Sequence, residues 1–261
     1  MLHLERSGDG DPVVFLHGAA GSSATYGWLP DLGRTVVRPD FRGHGHSGRA
    51  TRYVLDDYVE DALEVLAQTG PAPVVGHSLG GVVAWTVAQR HPDRVTGVVL
   101  EDPPLYLGEP AEHERNGAIP NFIVLRDLAT RWQAEGVSRE QAAAELAALP
   151  YDATRTAADV SAEDAISARA HSLLHVDSAV IDAIVDGTCL APADTAAPVE
   201  VPVLILAADV NAAFAPRHAQ RLAQTHPAVV VHRITGSGHS IHDEIAHRTA
   251  YLRAVAERLD S

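Results

Sequence analysis

The chain has 261 residues with 34 acidic against 20 basic side chains, a net charge of −14 that leaves no basic surface for nucleic acid. Hydrophobic residues make up 46% and charged residues 21%, with no long like-charge run, which excludes a disordered chain and is enough for one α/β unit with a sizeable core. A single cysteine, Cys189, excludes an internal disulfide framework and a cysteine-based zinc cluster. No stretch approaches the roughly eighteen apolar residues of a membrane span, and MLHLERSGDG lacks the pattern of a secretory leader, so a cytoplasmic location and no membrane partner are expected.

In chain order, PVVFLHG (12–18), RTVVRPD (34–40), PAPVVGH (71–77), RVTGVVLED (94–102), VPVLILAAD (201–209) and AVVVHRITG (228–236) are short Val/Ile/Leu-rich runs that predict strands buried on both faces. Between them lie helical patterns. In 53–69 the apolar Leu55, Tyr58, Val59, Ala62, Leu63 and Leu66 share one face, with Asp56, Asp57, Glu60, Asp61 and Glu64 expected on the solvent side. Residues 79–90 are apolar all round, with Trp85 expected in the core; helices are also predicted over 215–226 and 242–259. Strand–helix alternation predicts a mostly parallel sheet covered on both faces. Residues 105–198 break the rhythm: they hold helical patterns only, with capping-box spacing at Ser138/Gln141 and a near relative at Ser161/Asp164. The expected organisation is therefore a core of residues 1–104 and 199–261, with 105–198 as a helical cap inserted between the fourth and fifth long strands. The connection from the fourth strand leaves the carboxyl edge, where ligand sites of open α/β sheets lie.

Gly76-His77-Ser78-Leu79-Gly80 is a G-x-S-x-G pattern between a strand and a helix, the context in which it displays a serine nucleophile. A serine hydroxyl needs a base. His239, in GSGHSIHDE (236–244) after the last strand, is the candidate, with His242 a rival near the start of the last predicted helix. The developing oxyanion needs N–H donors; Ala19, in HGAAGSS (17–23), and Leu79 can supply them. His44 and His46 form an H-x-H pair, read as part of a tight loop with Asp40 and Arg42 because no third ligand has the right spacing; no metal and no cofactor are expected. Trp28, Tyr106, Phe122, Trp132 and Phe214 lie in loops or the cap and are the candidates for lining a substrate pocket.

The stretches FLHGAAGSS (15–23), RPDFRGHGHSG (38–48), GHSLGG (76–81), HPDRVTGVVLED (91–102) and GSGHSIHDE (236–244), in this order, resemble the α/β-hydrolase superfamily. The resemblance implies a mainly parallel eight-stranded sheet with a cap; only LHLERSG (2–8) precedes the first long strand here, so one edge strand is expected to be missing. In many members of that family the acid that orients the histidine follows the strand after the cap. Here LILAADVNAAFAP places Asp209 early relative to Pro216, and the position matching by spacing is close to Ala212. Some branches, among them certain dehalogenases and zearalenone-type lactonases, carry the acid after the strand that follows the nucleophile helix, which corresponds to Asp102. Both carboxylates remain candidates. The resemblance implies a serine hydrolase acting on a small carboxylic ester or lactone. C–C bond hydrolases and perhydrolase-like members share the serine and are the alternative, and a ligand-sensing receptor is a third reading. Relatives with a carboxylate nucleophile, such as epoxide hydrolases, differ at Ser78.

Overall fold

A computed structural model of the chain describes residues 1–115, 117–190 and 193–260. Asn116, Ala191 and Pro192 of the inserted segment, and Ser261, lie outside the described residues. Seven strands form one sheet: β1 (Leu4–Ser7), β2 (Pro12–Leu16), β3 (Thr35–Pro39), β4 (Ala72–His77), β5 (Val95–Glu101), β6 (Val203–Ala207) and β7 (Val230–Arg233), in the order β1-β3-β2-β4-β5-β6-β7. All pairings are parallel except β1 with β3. The described residues hold seven strands, one fewer than the family's eight, and LHLERSG itself forms the antiparallel edge strand β1 through the register Leu4–Pro39 to Ser7–Val36.

The strands read as unbroken apolar runs because both faces are covered. Val14, Leu16, Val74, Val98 and Ile205 face a core shared with α1 (Leu55–Thr69), α2 (Leu79–Arg90) and the inserted helices. Their neighbours Val13, Phe15, Val75, Val99 and Leu206 face a smaller core closed by Tyr251 and Val255. This is the period-two alternation of a strand between two apolar layers. Trp85 is fully buried, and its indole N–H donates to the Asp194 carbonyl at 3.1 Å.

Between β5 and β6 the chain is helical: α3 (Pro110–Glu114), α4 (Ile119–Glu135), α5 (Arg139–Ala147), α6 (Ala157–Val160), α7 (Glu163–His175) and α8 (Ser178–Val185). Then come α9 (Pro216–Thr225) and α10 (Arg248–Leu259). Among the described residues no helix is long and apolar enough to cross a membrane. Three local expectations are corrected. The last helix starts at Arg248 and not at 242, because Ile241–Asp243 is a separate short turn whose His242 side chain is drawn into the core. Ser138 and Gln141 do form a reciprocal capping box, whereas Ser161 does not cap α7: its backbone bridges to Glu244, and Asp164 binds Arg248 at 2.8 and 3.0 Å. Asp57 and Asp61 are buried rather than on the solvent face, because Arg42 and Arg52 reach over to them, Arg42 holding Asp61 through Nε at 2.9 Å and Nη2 at 2.7 Å.

Candidate active site

Ser78 sits between β4 and α2 with φ 50° and ψ −115°, a left-handed conformation that an L side chain enters at a cost of about 1–3 kcal/mol. The neighbouring glycines make the turn feasible. A Cβ on Gly76 would overlap the carbonyl of Gly80, and one on Gly80 would overlap the carbonyl of Leu16. Gly76→Ala is therefore expected to destabilise the protein by about 3 kcal/mol, roughly 6–12 °C in Tm. A melting curve superimposable on wild type would contradict that close approach.

Three of the sequence-nominated groups come together here. His239 Nε2 lies 3.0 Å from Ser78 Oγ, and His239 Nδ1 lies 2.7 Å from Asp102 Oδ2. Asp102 follows β5, is fully buried, and has φ 39°. Its carboxylate also accepts backbone N–H groups from Ala213 at 2.8 Å, Phe214 at 3.1 Å and Ala208 at 3.2 Å. Burial works to raise its pKa, but the hydrogen bond and charge of His239 and the Ala213 and Phe214 amides outweigh it, so the carboxyl lies below its ordinary value. Asp209, the other candidate acid, is exposed and accepts from the Gly236 N–H at 2.9 Å; it makes no contact with His239 among the described residues.

Ala19 and Leu79 line the same cavity as Ser78. Leu79 is the first residue of α2, so its N–H has no acceptor inside the helix. The loop carrying Ala19 is held by His17, His44 and Asp40. His17 donates Nδ1–H to the Gly18 carbonyl at 2.8 Å and accepts the Phe41 N–H at Nε2, 3.0 Å. His44 donates from Nδ1 to the Arg42 carbonyl at 3.0 Å and accepts the Ala20 N–H at 3.3 Å. Asp40 accepts the Ser23 and His46 N–H groups at 2.5 and 2.8 Å. His44 is buried and His46 exposed, so the H-x-H pair faces two different environments.

A second acid–imidazole pair lies beside the first. Glu101 and His242 are both fully buried, with His242 Nδ1 2.7 Å from Oε2 and the His242 N–H 3.0 Å from Oε1. His77 lies between His239 and His242, tilted to the one and edge-on to the other with ring centroids 4.8 and 4.9 Å away, and donates to the His239 carbonyl at 3.2 Å. His77, Glu101 and His242 are the one group of three metal-type side chains among the described residues whose donor atoms converge within 4.8 Å. Glu101 holds His242 Nδ1 and the His239 carbonyl meets His77 Nε2, which fixes the loop carrying His239, whereas His242 Nε2 is buried without a hydrogen-bond partner.

The buried imidazoles make stability pH-dependent. Burial lowers the pKa of His17 and His77, and lowers that of His44 to about 3. A depressed pKa means that the unfolded chain binds protons first, so stability is intact above about pH 6.5 and is lost as pH falls toward the folded values. At pH 5 His44 alone is expected to cost about 2 kcal/mol. His242 acts above that window: burial opposes its charge, but Glu101 and Asp243 outweigh burial and raise it, so its contribution is complete below pH 6.5 and fades as pH rises. Urea midpoints should fall steadily from pH 6.5 to 4.5; a flat profile would contradict the burial of three neutral rings.

Ser78 and His239 open into a cavity of about 530 Å³. Phe122 lines it together with Leu107, Leu125, Ile184 and Leu190. The other four aromatic candidates do not line it. Trp28 packs by Tyr251 with the Arg248 guanidinium 4.0 Å from its ring centre. Tyr106 is buried against His218, with Arg221 at 4.4 Å. Trp132 is buried within the inserted helices and donates to Glu145 at 2.8 Å. Phe214 is buried beside His218; its backbone N–H donates to Asp102 and its carbonyl accepts from Arg233 at 3.1 Å.

The chain matches the model of the alpha/beta hydrolase fold family over residues 11–245. It is 35% identical over 114 residues to the lipase LipV of Mycobacterium tuberculosis, covering 41% of this chain and 43% of that protein. It is 38% identical over 108 residues to the 2-hydroxymuconate semialdehyde hydrolase of Pseudomonas sp. strain CF600, covering 38% of each. The chain thus spans about two fifths of the length of these curated relatives. In three dimensions it is similar to E-2-(acetamidomethylene)succinate hydrolase, with a TM-score of 0.73 and 24% identity over 100% of this chain and 95% of that one, a likeness of fold. The parallel sheet, the strained serine turn and the family match across nearly the whole chain lead to one conclusion: this protein belongs to the alpha/beta hydrolase fold family.

Proposed function

We propose that the protein is a serine hydrolase that cleaves a small carboxylic ester or lactone through an acyl-enzyme on Ser78. The observation that carries this reading is the continuous hydrogen-bonded line from Ser78 Oγ through His239 to the buried Asp102 at the wall of the cavity. As Ser78 Oγ attacks the acyl carbonyl, its proton passes to His239 Nε2. Asp102 holds Nδ1–H and stabilises the imidazolium. The N–H groups of Ala19 and Leu79 receive the oxyanion. His239 then protonates the leaving alkoxide, and the C–O bond breaks. A water molecule, deprotonated by the same nitrogen, attacks the acyl-enzyme and releases the acid. The helices between β5 and β6 act as the cap that carries the apolar wall, Phe122 and Leu125 among it.

Acid quench during turnover of p-nitrophenyl butyrate, followed by peptide mapping, is expected to find the butyryl group on the Ser78 peptide. Release of p-nitrophenol with no acylated peptide would overturn this mechanism. The similarity to a 2-hydroxymuconate semialdehyde hydrolase supports a second reading, a C–C bond hydrolase on the same serine. Turnover of 2-hydroxymuconate semialdehyde, with esters left untouched, would favour it.

A further inference from the structure

The charge of the cavity wall runs against that of the protein. In a chain of net charge −14, the lining carries three arginines, Arg115, Arg169 and Arg217, against one carboxylate, Glu112, an excess of two positive charges. Glu112 is already engaged: Arg217 lies 2.5 Å from Oε2, His218 Nε2 3.0 Å from it, and Arg115 3.3 Å from Oε1. The Arg217 hydrogen bond, with help from His218, holds the Glu112 carboxyl down at about 2. Glu112 thus offsets one of the two arginines beside it, while Arg169 stands on the side of His239, ion-paired to Asp243 at 3.3 Å.

Arg169 projects from α7, a helix anchored against the Ala19 loop by the Ser22–Ser172 hydroxyl contact at 2.8 Å. Only one of its terminal nitrogens is used. Nη2 reaches Ser240 Oγ and Asp243 Oδ2, both at 3.3 Å, longer than the usual charge-assisted bond. Nε and Nη1 have no hydrogen-bond partner among the described residues, and neither is a buried orphan; the side chain is 34% exposed. Ser240, its contact, directly follows His239. Arg169 lines the cavity, and its Nε–H and Nη1–H, on opposite edges of the guanidinium, can each donate one charge-assisted bond to an anion.

We propose that Arg169 is a specificity-determining residue that anchors a carboxylate of the substrate, so that the ester or lactone cleaved here is itself an anionic acid. This rests on the serine-hydrolase reading above and names its substrate class. The anchor acts in the ground state and transition state alike, orienting the acyl carbonyl against Ser78 and the Ala19 and Leu79 amides. The apolar residues opposite, Leu125 and Ile184, hold the remainder of the molecule.

The test compares p-nitrophenyl hemiglutarate with p-nitrophenyl pentanoate, matched in length and differing in the terminal carboxylate. Wild type is expected to prefer the hemiester by about 10- to 100-fold in kcat/KM, a preference that shrinks with added salt. Arg169→Gln should bring the ratio close to unity, Arg169→Lys should retain part of it, and glutarate should inhibit wild type competitively. If Arg169→Gln does not fold, Arg169→Lys and the salt dependence still decide. Pentanoate turnover without preference for the hemiester overturns the anchor and leaves the serine reading standing. A preference that survives Arg169→Gln but is lost in Arg217→Gln overturns the assignment to Arg169. Turnover of neither ester sinks the serine reading and the anchor with it.

Discussion

Replacing Ser78 by alanine is expected to lower kcat/KM for esters by about 10⁴- to 10⁶-fold, or roughly 5–8 kcal/mol of transition-state stabilisation. The fold should survive. The recorded partner of Ser78 Oγ is His239 Nε2, and alanine leaves the N–H to Glu101 carbonyl bond of 3.0 Å in place. The residual rate would come from the Ala19 and Leu79 donors and from the cavity itself. Steady-state kinetics beside a melting curve checks both halves. A variant within tenfold of wild type would mean that another group carries the chemistry.

Asp102→Asn should cost about 10³- to 10⁴-fold in kcat, while Asp209→Asn stays within about twofold. The difference follows from what each carboxylate holds. Asp102 receives four hydrogen bonds, three from backbone amides and one from His239. An asparagine presents an NH₂ group to one pair of those donors. Either a buried amide is left unsatisfied, at about 1–3 kcal/mol of stability, or His239 is turned to the tautomer that cannot accept from Ser78. Asp209 is exposed and holds one loop amide, that of Gly236. A loss of activity in Asp209→Asn with Asp102→Asn nearly intact would reverse the assignment. Following Tm alongside kcat separates misfolding from a lost proton relay.

Much of this was legible in the chain because the signals are local. Strands buried on both faces announce themselves as Val/Ile/Leu runs. Gly76, Ser78 and Gly80 sit within one turn, and His239 lies at a strand end recognisable as such. The acid was ambiguous because its partner is distant: Asp102 and His239 are 137 residues apart, and no spacing rule connects them. The unusual sequence after β6 has a physical explanation. The loop 208–214 that offers no carboxylate to His239 instead turns the N–H groups of Ala208, Ala213 and Phe214 onto Asp102. Aromatic composition misled for the opposite reason. Trp132 and Phe214 fill packing space behind the wall, and smaller residues such as Leu107 and Ile184 reach the cavity. A sequence gives the type of a side chain and not the direction it faces. Arg169 went unnoticed in an alanine-rich helix, and the Glu101–His242 pair was hidden because the last helix starts six residues later than its pattern predicts.

The central claim is that Ser78 is an activated nucleophile, and intact-mass analysis after a fluorophosphonate probe tests it most directly. One adduct on wild type, absent from Ser78→Ala and strongly slowed in Asp102→Asn, is the expected result. An unlabelled wild type that still turns over ester, or equal labelling of wild type and Ser78→Ala, would contradict it.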